Sequence, residues 1–286
     1  MNRLAEDKTV TIKAKPFLRW AGGKSWLLKK LNSYLPLDFN NYHEPFVGGG
    51  SVFIYLKSLG IIKNNALLSD QNEDLINVYK SIQADSNSLI DFLKKYKNNK
   101  EFYYQLREQK FQDKIEQAAQ FIYLNRTSFN GIYRVDLKGE YNVPYGFKEY
   151  KQLFDFENIR NIRNISKLLN NVKFEKGDFE NYLDRVDKND LVFLDPPYTV
   201  AYENNGFIKY NQKIFAWEDQ ERLEGYIQKI KEKQAYFILT NAAHVNINNL
   251  FQNIGIKHEV KRYSVVGGKG AKRQKISEYI FTNCKS

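Results

Sequence analysis

Hydrophobic positions along this chain switch between a helical period and short unbroken runs. Leu27, Leu28 and Leu31 share one helix face, and Tyr42-His43-Glu44-Pro45-Phe46 reads as a short strand. The chain then passes through Val47-Gly48-Gly49-Gly50-Ser51 into a helical pattern at Val52, Phe53, Tyr55 and Leu56. Ala66-Leu67-Leu68-Ser69-Asp70 is a second strand, ending in a carboxylate. The next strands, Val172-Lys173-Phe174-Glu175 and Leu191-Val192-Phe193-Leu194, come about a hundred residues later, whereas a strand-helix-strand unit needs only about thirty. An insert is therefore expected at 72–171, within a sheet domain made of 1–71 and 172–286.

The insert opens with helical spacing at Leu75, Ile76, Val78, Tyr79 and Ile82, and again at Ile115, Ala118, Ala119 and Ile122. From Asn125 to Gly146 it is rich in turn residues, aromatics and basic groups. Beyond it a helix is expected over 221–231 and a strand over 236–240. A closing hairpin has arms at 259–263 and 276–281, joined by a basic glycine-rich tip. The first fifteen residues are polar and lysine-rich, and read as an arm. The fold class expected is α/β, a Rossmann-like sheet with an inserted, mainly helical domain.

Charge narrows the partners. Lysine and arginine total 44 against 33 acidic residues, a formal charge of +11 over 286 residues, which favours a polyanion. Aromatics at 15% put stacking surfaces beside that charge. Cys284 is the single cysteine, so a disulfide scaffold and a cysteine-rich zinc site are excluded. His43, His244 and His258 are too scattered for a metal pattern. No metal is expected. No apolar stretch approaches membrane-span length and no secretory signal opens the chain, so an intracellular, cytoplasmic protein without a membrane partner is expected.

The most telling stretch is Asp195-Pro196-Pro197-Tyr198, directly after the apolar run 191–194. Ligands of open α/β sheets bind at the carboxyl ends of the strands. There Asp195 and the Pro196 carbonyl can each accept a hydrogen bond from a planar amino group, while Tyr198 stacks on its ring. Drawing both amino hydrogens away from the ring plane localises the nitrogen lone pair and makes a poor nucleophile usable. The plain alternative is a strand end followed by a Pro-Pro turn. The Gly48 to Gly50 loop is neither a P-loop nor a G-x-G-x-x-G turn. With Asp70 about twenty residues on, it still suits a nucleoside whose ribose hydroxyls bond a carboxylate; otherwise it is a tight turn, with Asp70 capping a helix that starts at Asn72. Asp178-Phe179 can hold an adenine by its amino group and face, or cap the helical segment that follows. Trp20, before Gly22-Gly23-Lys24, reaches a cofactor or is a core residue before a turn.

Arg126 to Arg134 mixes arginine, asparagine and aromatic residues, which suits base reading; an ordinary basic loop is the alternative. Lys272 and Arg273 on the hairpin tip read as a phosphate clamp or a solvated turn. Cys284, near a frayed carboxyl end, is badly placed as the nucleophile that methylation of a cytosine carbon requires. Direct attack by an exocyclic amine needs no such residue.

In order, Trp20-Ala-Gly-Gly-Lys24, Glu44-Pro-Phe-Val-Gly-Gly-Gly50, Asp70, Phe129-Asn-Gly131, Asn142-Val-Pro-Tyr-Gly146, Gly177-Asp178 and Asp195-Pro-Pro-Tyr198 resemble the Dam-type DNA adenine-N6 methyltransferases. The likeness runs from about Pro16 to the hairpin and is greatest to GATC modification enzymes of restriction systems. It implies S-adenosylmethionine as methyl donor, held by Trp20, Lys24, Phe46, Gly48, Gly50, Asp70, Asp178, Phe179 and Asp195. The catalytic set implied is Asp195, Pro196 and Tyr198. Duplex DNA would meet Arg19, Arg126, Phe129, Asn130, Ile132, Arg134, Asn142, Pro144, Lys272 and Arg273. Arg134 would read a guanine, Phe129 would wedge into the base stack, and a cognate endonuclease is a possible partner in this resemblance. Arg19 stands where a known relative has lysine and Phe129 where it has tyrosine; the first affects choice of the first base. The same chemistry on RNA or a protein amide, or a DNA-binding module without catalysis, are the competing functions.

Overall fold

The computed structural model describes residues 12–131, 133–136, 139–147, 154–199, 215–263 and 275–284. In chain order its strands are β1 (Tyr42–Glu44), β2 (Ala66–Asp70), β3 (Val172–Lys176), β4 (Leu191–Leu194), β5 (Tyr236–Ala242), β6 (Ile256–Tyr263) and β7 (Lys275–Thr282). Its helices are α1 (Leu28–Leu31), α2 (Ser51–Ser58), α3 (Glu73–Lys95), α4 (Lys100–Glu108), α5 (Lys114–Thr127), α6 (Phe156–Leu168), α7 (Trp217–Glu232) and α8 (Val245–Phe251). The chain packs as two compact units. One is built from Met1–Gly23, Gly48–Lys63 and Asn72–Lys176, the other from Lys24–Val47, Asn64–Gln71 and Gly177–Ser286.

The first unit is mainly helical. Helix α2 starts at Gly50 without a side-chain cap, but α3 to α6 start where an asparagine or aspartate can accept from freed backbone N–H groups. Asn72 takes Leu75 N, Asn99 takes Phe102 N, Asp113 takes Ile115 N and Glu116 N, and Asp155 takes Asn158 N. The cap of α3 is therefore Asn72, not Asp70, because Asp70 still belongs to β2. One face of α3 is buried through Leu75, Val78, Tyr79, Ile82, Leu89 and Leu93. At Asp85 (φ −152°, ψ 82°) the helix breaks, and the Asp85 carboxylate caps the next turn through Asn87 N and Ser88 N. Helix α5 supplies the opposing apolar surface, with Ala118, Ala119 and Ile122 inside. On β3 the burial alternates, and Phe174 stacks on Tyr79 at 5.1 Å.

In the second unit six strands run in the order β2-β1-β4-β5-β7-β6. Strand β1 is parallel to β2 on one side and to β4 on the other, and β4 is parallel to β5. The strand order thus reverses at β1, which opens a crevice beyond the carboxyl ends of β1 and β4. This is the Rossmann-like arrangement expected. All four residues of β4 are buried, as are Phe237, Ile238 and Leu239 of β5. Each such side chain contributes about 1.5–3 kcal/mol relative to leaving it exposed. The closing strands pair antiparallel as expected, but the later one, β7, is inserted beside β5 and leaves β6 outside. Composition explains the order. Ile280 and Phe281 of β7 are fully buried, whereas β6 carries Lys257, Glu259 and Lys261, the charged dress of an edge strand.

The base of β1 and β4 is tied by Asp190. Its carboxylate accepts from Asn41 N, Asn41 Nδ2 and Asp187 N, and meets His43 Nε2 at 2.8 Å. Burial alone would lift this carboxyl, but the bonds from His43 and the two backbone amides outweigh it and hold it below the usual value. A lowered carboxyl stabilises the fold above its unfolded pKa of about 3.9, and that stability is lost as pH falls through the native value. Asp190→Asn is expected to cost about 1–3 kcal/mol in urea unfolding between pH 5 and 8, and the gap from the parent should close below about pH 4. A gap that stays constant to pH 3 contradicts this assignment.

Candidate active site

The carboxyl end of β4, a central strand, delivers Asp195 at the crevice beyond the strand ends. Asp195 Oδ1 pairs with Lys24 Nζ at 2.6 Å and accepts from Thr240 Oγ1 at 2.8 Å. Lys24 is 2% exposed, and its ammonium also lies 4.9 Å from the centre of the Tyr198 ring. Burial raises the Asp195 carboxyl; Lys24 and Thr240 pull against that without cancelling it. The acid and the phenol of the tetrad are therefore brought together with Lys24, which the family resemblance places with the cofactor and not at the tetrad, and Pro196 is buried. Thr199 closes the turn, accepting from Gln220 Nε2 at 2.9 Å, and Gln220 accepts from Asn241 Nδ2 at 2.9 Å. All three are buried, so the tetrad leaves β4 along a fixed path. Tyr198 O–H donates to Glu278 of β7 at 2.6 Å. Thr240, Asn241 and Glu278 carry no motif and are revealed only by the sheet register, and Gln220 only by the packing of α7.

A second cluster lies at the ends of β1 and β2. Val47 N bonds Ser69 O, and Gly177 N bonds Asp70 O at 3.1 Å, which draws the Phe46, Asp70 and Asp178 backbones together. Phe46 is half-buried against Phe179, ring centres 5.4 Å apart. Asp178 caps the 3₁₀ turn Phe179–Arg185 through Glu180 N, as one of its two readings held. It also accepts from Gln71 Nε2 at 3.1 Å and from Arg222 Nη2 at 2.7 Å. Arg222 further pairs with Glu180 and Asp219, and its guanidinium sits 4.9 Å over Phe179. Carboxylates at Asp70 and Asp178 beside an aromatic face are a donor set that fits the ribose hydroxyls and adenine of a nucleoside.

The glycine loop falls in the first unit. Gly48 has φ +47°, and a Cβ there would meet Trp20 Cδ1 at 2.7 Å. At Gly50 (φ +63°) a Cβ would meet the Tyr79 hydroxyl at 2.6 Å. Trp20 itself is half-buried, stacked at 5.6 Å on Tyr133 and at 6.3 Å on Phe121. These glycines are thus required by close packing of Trp20 and Tyr79 as well as by the turn.

The basic stretch of the first unit forms a tip. Phe129–Gly131 is a 3₁₀ turn with Asn130 left-handed at φ 57°. Phe129 is 54% exposed, and its N–H bonds Pro144 O at 2.8 Å. Arg134 and Asn142 lie exposed on facing segments, Arg134 Nε donating to Asn142 Oδ1 at 2.8 Å. Arg126 is half-buried and bonds Asn158 of α6. Buried Asn125, which the sequence did not single out, bonds both Arg19 N and Arg19 O at 2.8 Å and reaches Gly131 O. It fixes Arg19 beside the tip, and Arg19 Cδ fills the place a Gly131 Cβ would take. Ile132, Lys272 and Arg273 lie outside the described residues.

Cys284 is buried rather than frayed: its N–H bonds Thr282 Oγ1, and burial raises the thiol. A buried, protonated thiol is no nucleophile. Among the described residues no three histidine, cysteine or acidic side chains gather as a metal site, and no helix is long and apolar enough to cross a membrane.

A Rossmann-like sheet presenting Asp-Pro-Pro-Tyr at its central strand end defines an amino-methylating enzyme. The chain belongs to the D12 class of N6 adenine-specific DNA methyltransferases, whose family model matches residues 20–265. It is 37% identical to the type II methyltransferase M.MjaIII of Methanocaldococcus jannaschii, over 92% of this chain and 96% of that one. It is 34% identical to M1.LlaDCHI of Lactococcus lactis subsp. cremoris, over 99% of each chain. To the DNA adenine methylase of Escherichia coli K12 it is 30% identical, over 94% and 95%. The chain is an adenine-specific DNA methyltransferase.

Proposed function

We propose that this enzyme takes its methyl group from S-adenosylmethionine and places it on N6 of the adenine of GATC in duplex DNA, after rotating that base out of the helix. The observation that carries the reading is the junction of Asp195, Pro196 and Tyr198 at the sheet's switch point. S-adenosylmethionine, when bound, supplies an electrophilic methyl on a positive sulfur. In the second unit, Lys24, Phe46, Asp70, Asp178, Phe179 and Asp195 are the residues that would hold it, and the donor set described above fits. In the first unit, Trp20, Gly48 and Gly50 carry the same assignment from the family pattern.

Asp195 and the Pro196 carbonyl accept the two N6 hydrogens, and Tyr198 stacks on the purine. Unstacking a base costs on the order of a few kcal/mol, which the stacking and the amino-group bonds offset. Bound S-adenosylmethionine would supply the methyl group to the N6 lone pair and keep the sulfur's electron pair; this chain's part is to hold N6 in line, with Asp195 or water taking the surplus N6 proton. Acceleration comes from positioning and electrostatics rather than from a strong base.

The segment 72–171 is assigned target recognition, with Phe129 as the wedge, Arg134 as a guanine reader, and Arg19, Arg126, Asn130, Ile132, Asn142 and Pro144 along the same surface. Lys272 and Arg273 are assigned phosphate contacts. A cognate endonuclease and action within the cytoplasm complete the proposal. The names of two relatives as type II methyltransferases support a place in a restriction system.

Label transfer from S-adenosylmethionine to duplexes holding one GATC, or one altered base in it, tests the specificity. Methylation of all duplexes at one rate contradicts it. The net charge of +11 also predicts steep salt dependence. Between 50 and 200 mM salt, affinity for DNA should fall roughly a thousandfold, as for about six phosphate contacts. A flat response in equilibrium binding contradicts the charge argument.

A further inference from the structure

Tyr198 is anchored far from its own turn. Its hydroxyl donates to Glu278 Oε2 at 2.6 Å, a partner 80 residues on. Glu278 is 2% exposed and stands on β7, opposite Ala242 of β5 and Val260 of β6. Its other oxygen accepts from Nε of Arg262 on β6, and the Arg262 guanidinium lies 5.4 Å from the Trp26 ring. A buried carboxylate is tolerated only when paired and hydrogen-bonded, and here one cation and one phenol do both. Burial, then the charges of Glu278 and Asp195, push the phenol well above its ordinary value, so it stays a donor.

A tyrosine ring held only by its backbone can turn about two side-chain torsions. Holding its oxygen at the far end sets the first torsion; the oxygen lies on the axis of the second, but a phenol O–H lies in the plane of its ring, so the direction of the Glu278 acceptor sets the ring plane as well. One face of the ring carries the Lys24 ammonium, itself bonded to Asp195, which leaves the opposite face for a stacked base. We propose that Glu278, set in place by Arg262, is a positioning residue that orients the Tyr198 ring to receive the target base beside Asp195. The proposal rests on the reading that the tetrad receives adenine.

A double-mutant cycle on the full-length enzyme tests it. The readout is the single-turnover methylation rate on saturating GATC duplex, with KM for the duplex as control. Tyr198→Phe and Glu278→Gln should each slow the rate about tenfold. The double variant should be about tenfold slower than the parent in total rather than a hundredfold, because both changes act on one contact. The KM should shift by less than about twofold. A hundredfold loss in the double variant, or an unchanged rate in Glu278→Gln, overturns the role. Should Glu278→Gln fail to fold, Arg262→Lys takes its place in the cycle under the same criterion, since it keeps the charge and loses the guanidinium geometry. Tyr198→Ala separates the two readings. Parent rates in that variant remove the tetrad pocket altogether, whereas a slow Tyr198→Ala with an additive cycle removes only the part given to Glu278.

Discussion

Asp195→Ala is expected to abolish methyl transfer, by about a thousandfold or more, while DNA association stays within about twofold of the parent. The loss follows from what Asp195 does. It is the one carboxylate at the end of β4, fixed by Thr240 at 2.8 Å and by Lys24 at 2.6 Å. In the proposed reading it polarises an amino group whose lone pair is otherwise spread into the purine. Removing one preorganised electrostatic partner from such a site costs about 10²–10³ in rate, and here the variant also leaves the Lys24 ammonium buried without its carboxylate. DNA affinity, by contrast, is proposed to come from phosphate contacts elsewhere. Rapid-quench methylation and equilibrium binding on one duplex measure the two effects separately; ordinary turnover overturns the assignment. Because burial holds the Asp195 carboxyl above the ordinary value, the acid limb of the parent's rate profile should lie higher than for a solvated aspartate. As pH falls through that limb Asp195 gains a proton and ceases to accept. A rate that stays flat down to pH 4 contradicts this.

Arg134→Ala is expected to relax sequence choice at one base pair. The Arg134 guanidinium is exposed on the tip and steadied by Asn142 through its Nε, which suits a two-pronged bond to guanine O6 and N7. Such a contact is worth about 1–3 kcal/mol of discrimination, so preference at that pair should fall roughly 10- to 100-fold. Competition between GATC duplexes and single-substitution duplexes measures it. A uniform loss on every sequence would instead mark Arg134 as a phosphate contact.

Different parts of this molecule are legible in the sequence to different degrees, and for physical reasons. Strands β2, β4 and β5 announce themselves because a parallel strand buried on both faces reads as an apolar run. Helices α3 and α5 show through their period. Helices α4 and α6 were not read: α4 buries only Tyr103 and Leu106, and α6 buries Ile162, Ile165 and Leu168 amid asparagine and arginine. The placing of β7 inside β6 is a matter of which strand is the more apolar, a comparison that local pattern does not make.

The site divides the same way. Asp195, Tyr198, Asp178 and Lys24 stand in motifs because chemistry demands their types at fixed spacing. Glu278, Arg262, Thr240 and Arg222 act through register and side-chain reach, and they lie up to 80 residues from what they touch. Asn125 is similar: one buried amide joins Arg19 to the tip, and an asparagine beside an arginine in a polar stretch gives no sign of that. The glycine loop was legible as a loop, but its packing against Trp20 and Tyr79 was not, since those contacts arise only once the first unit is folded.

The most direct measurement is a crystal structure of the enzyme with a GATC duplex and a non-reactive analogue of S-adenosylmethionine. The account predicts the adenine outside the helix, its N6 within about 2.6–3.2 Å of an Asp195 carboxylate oxygen and of the Pro196 carbonyl, with Tyr198 against its ring. An adenine still paired in the duplex, or one lodged away from Asp195 with the donor analogue on the other side of the sheet, contradicts it.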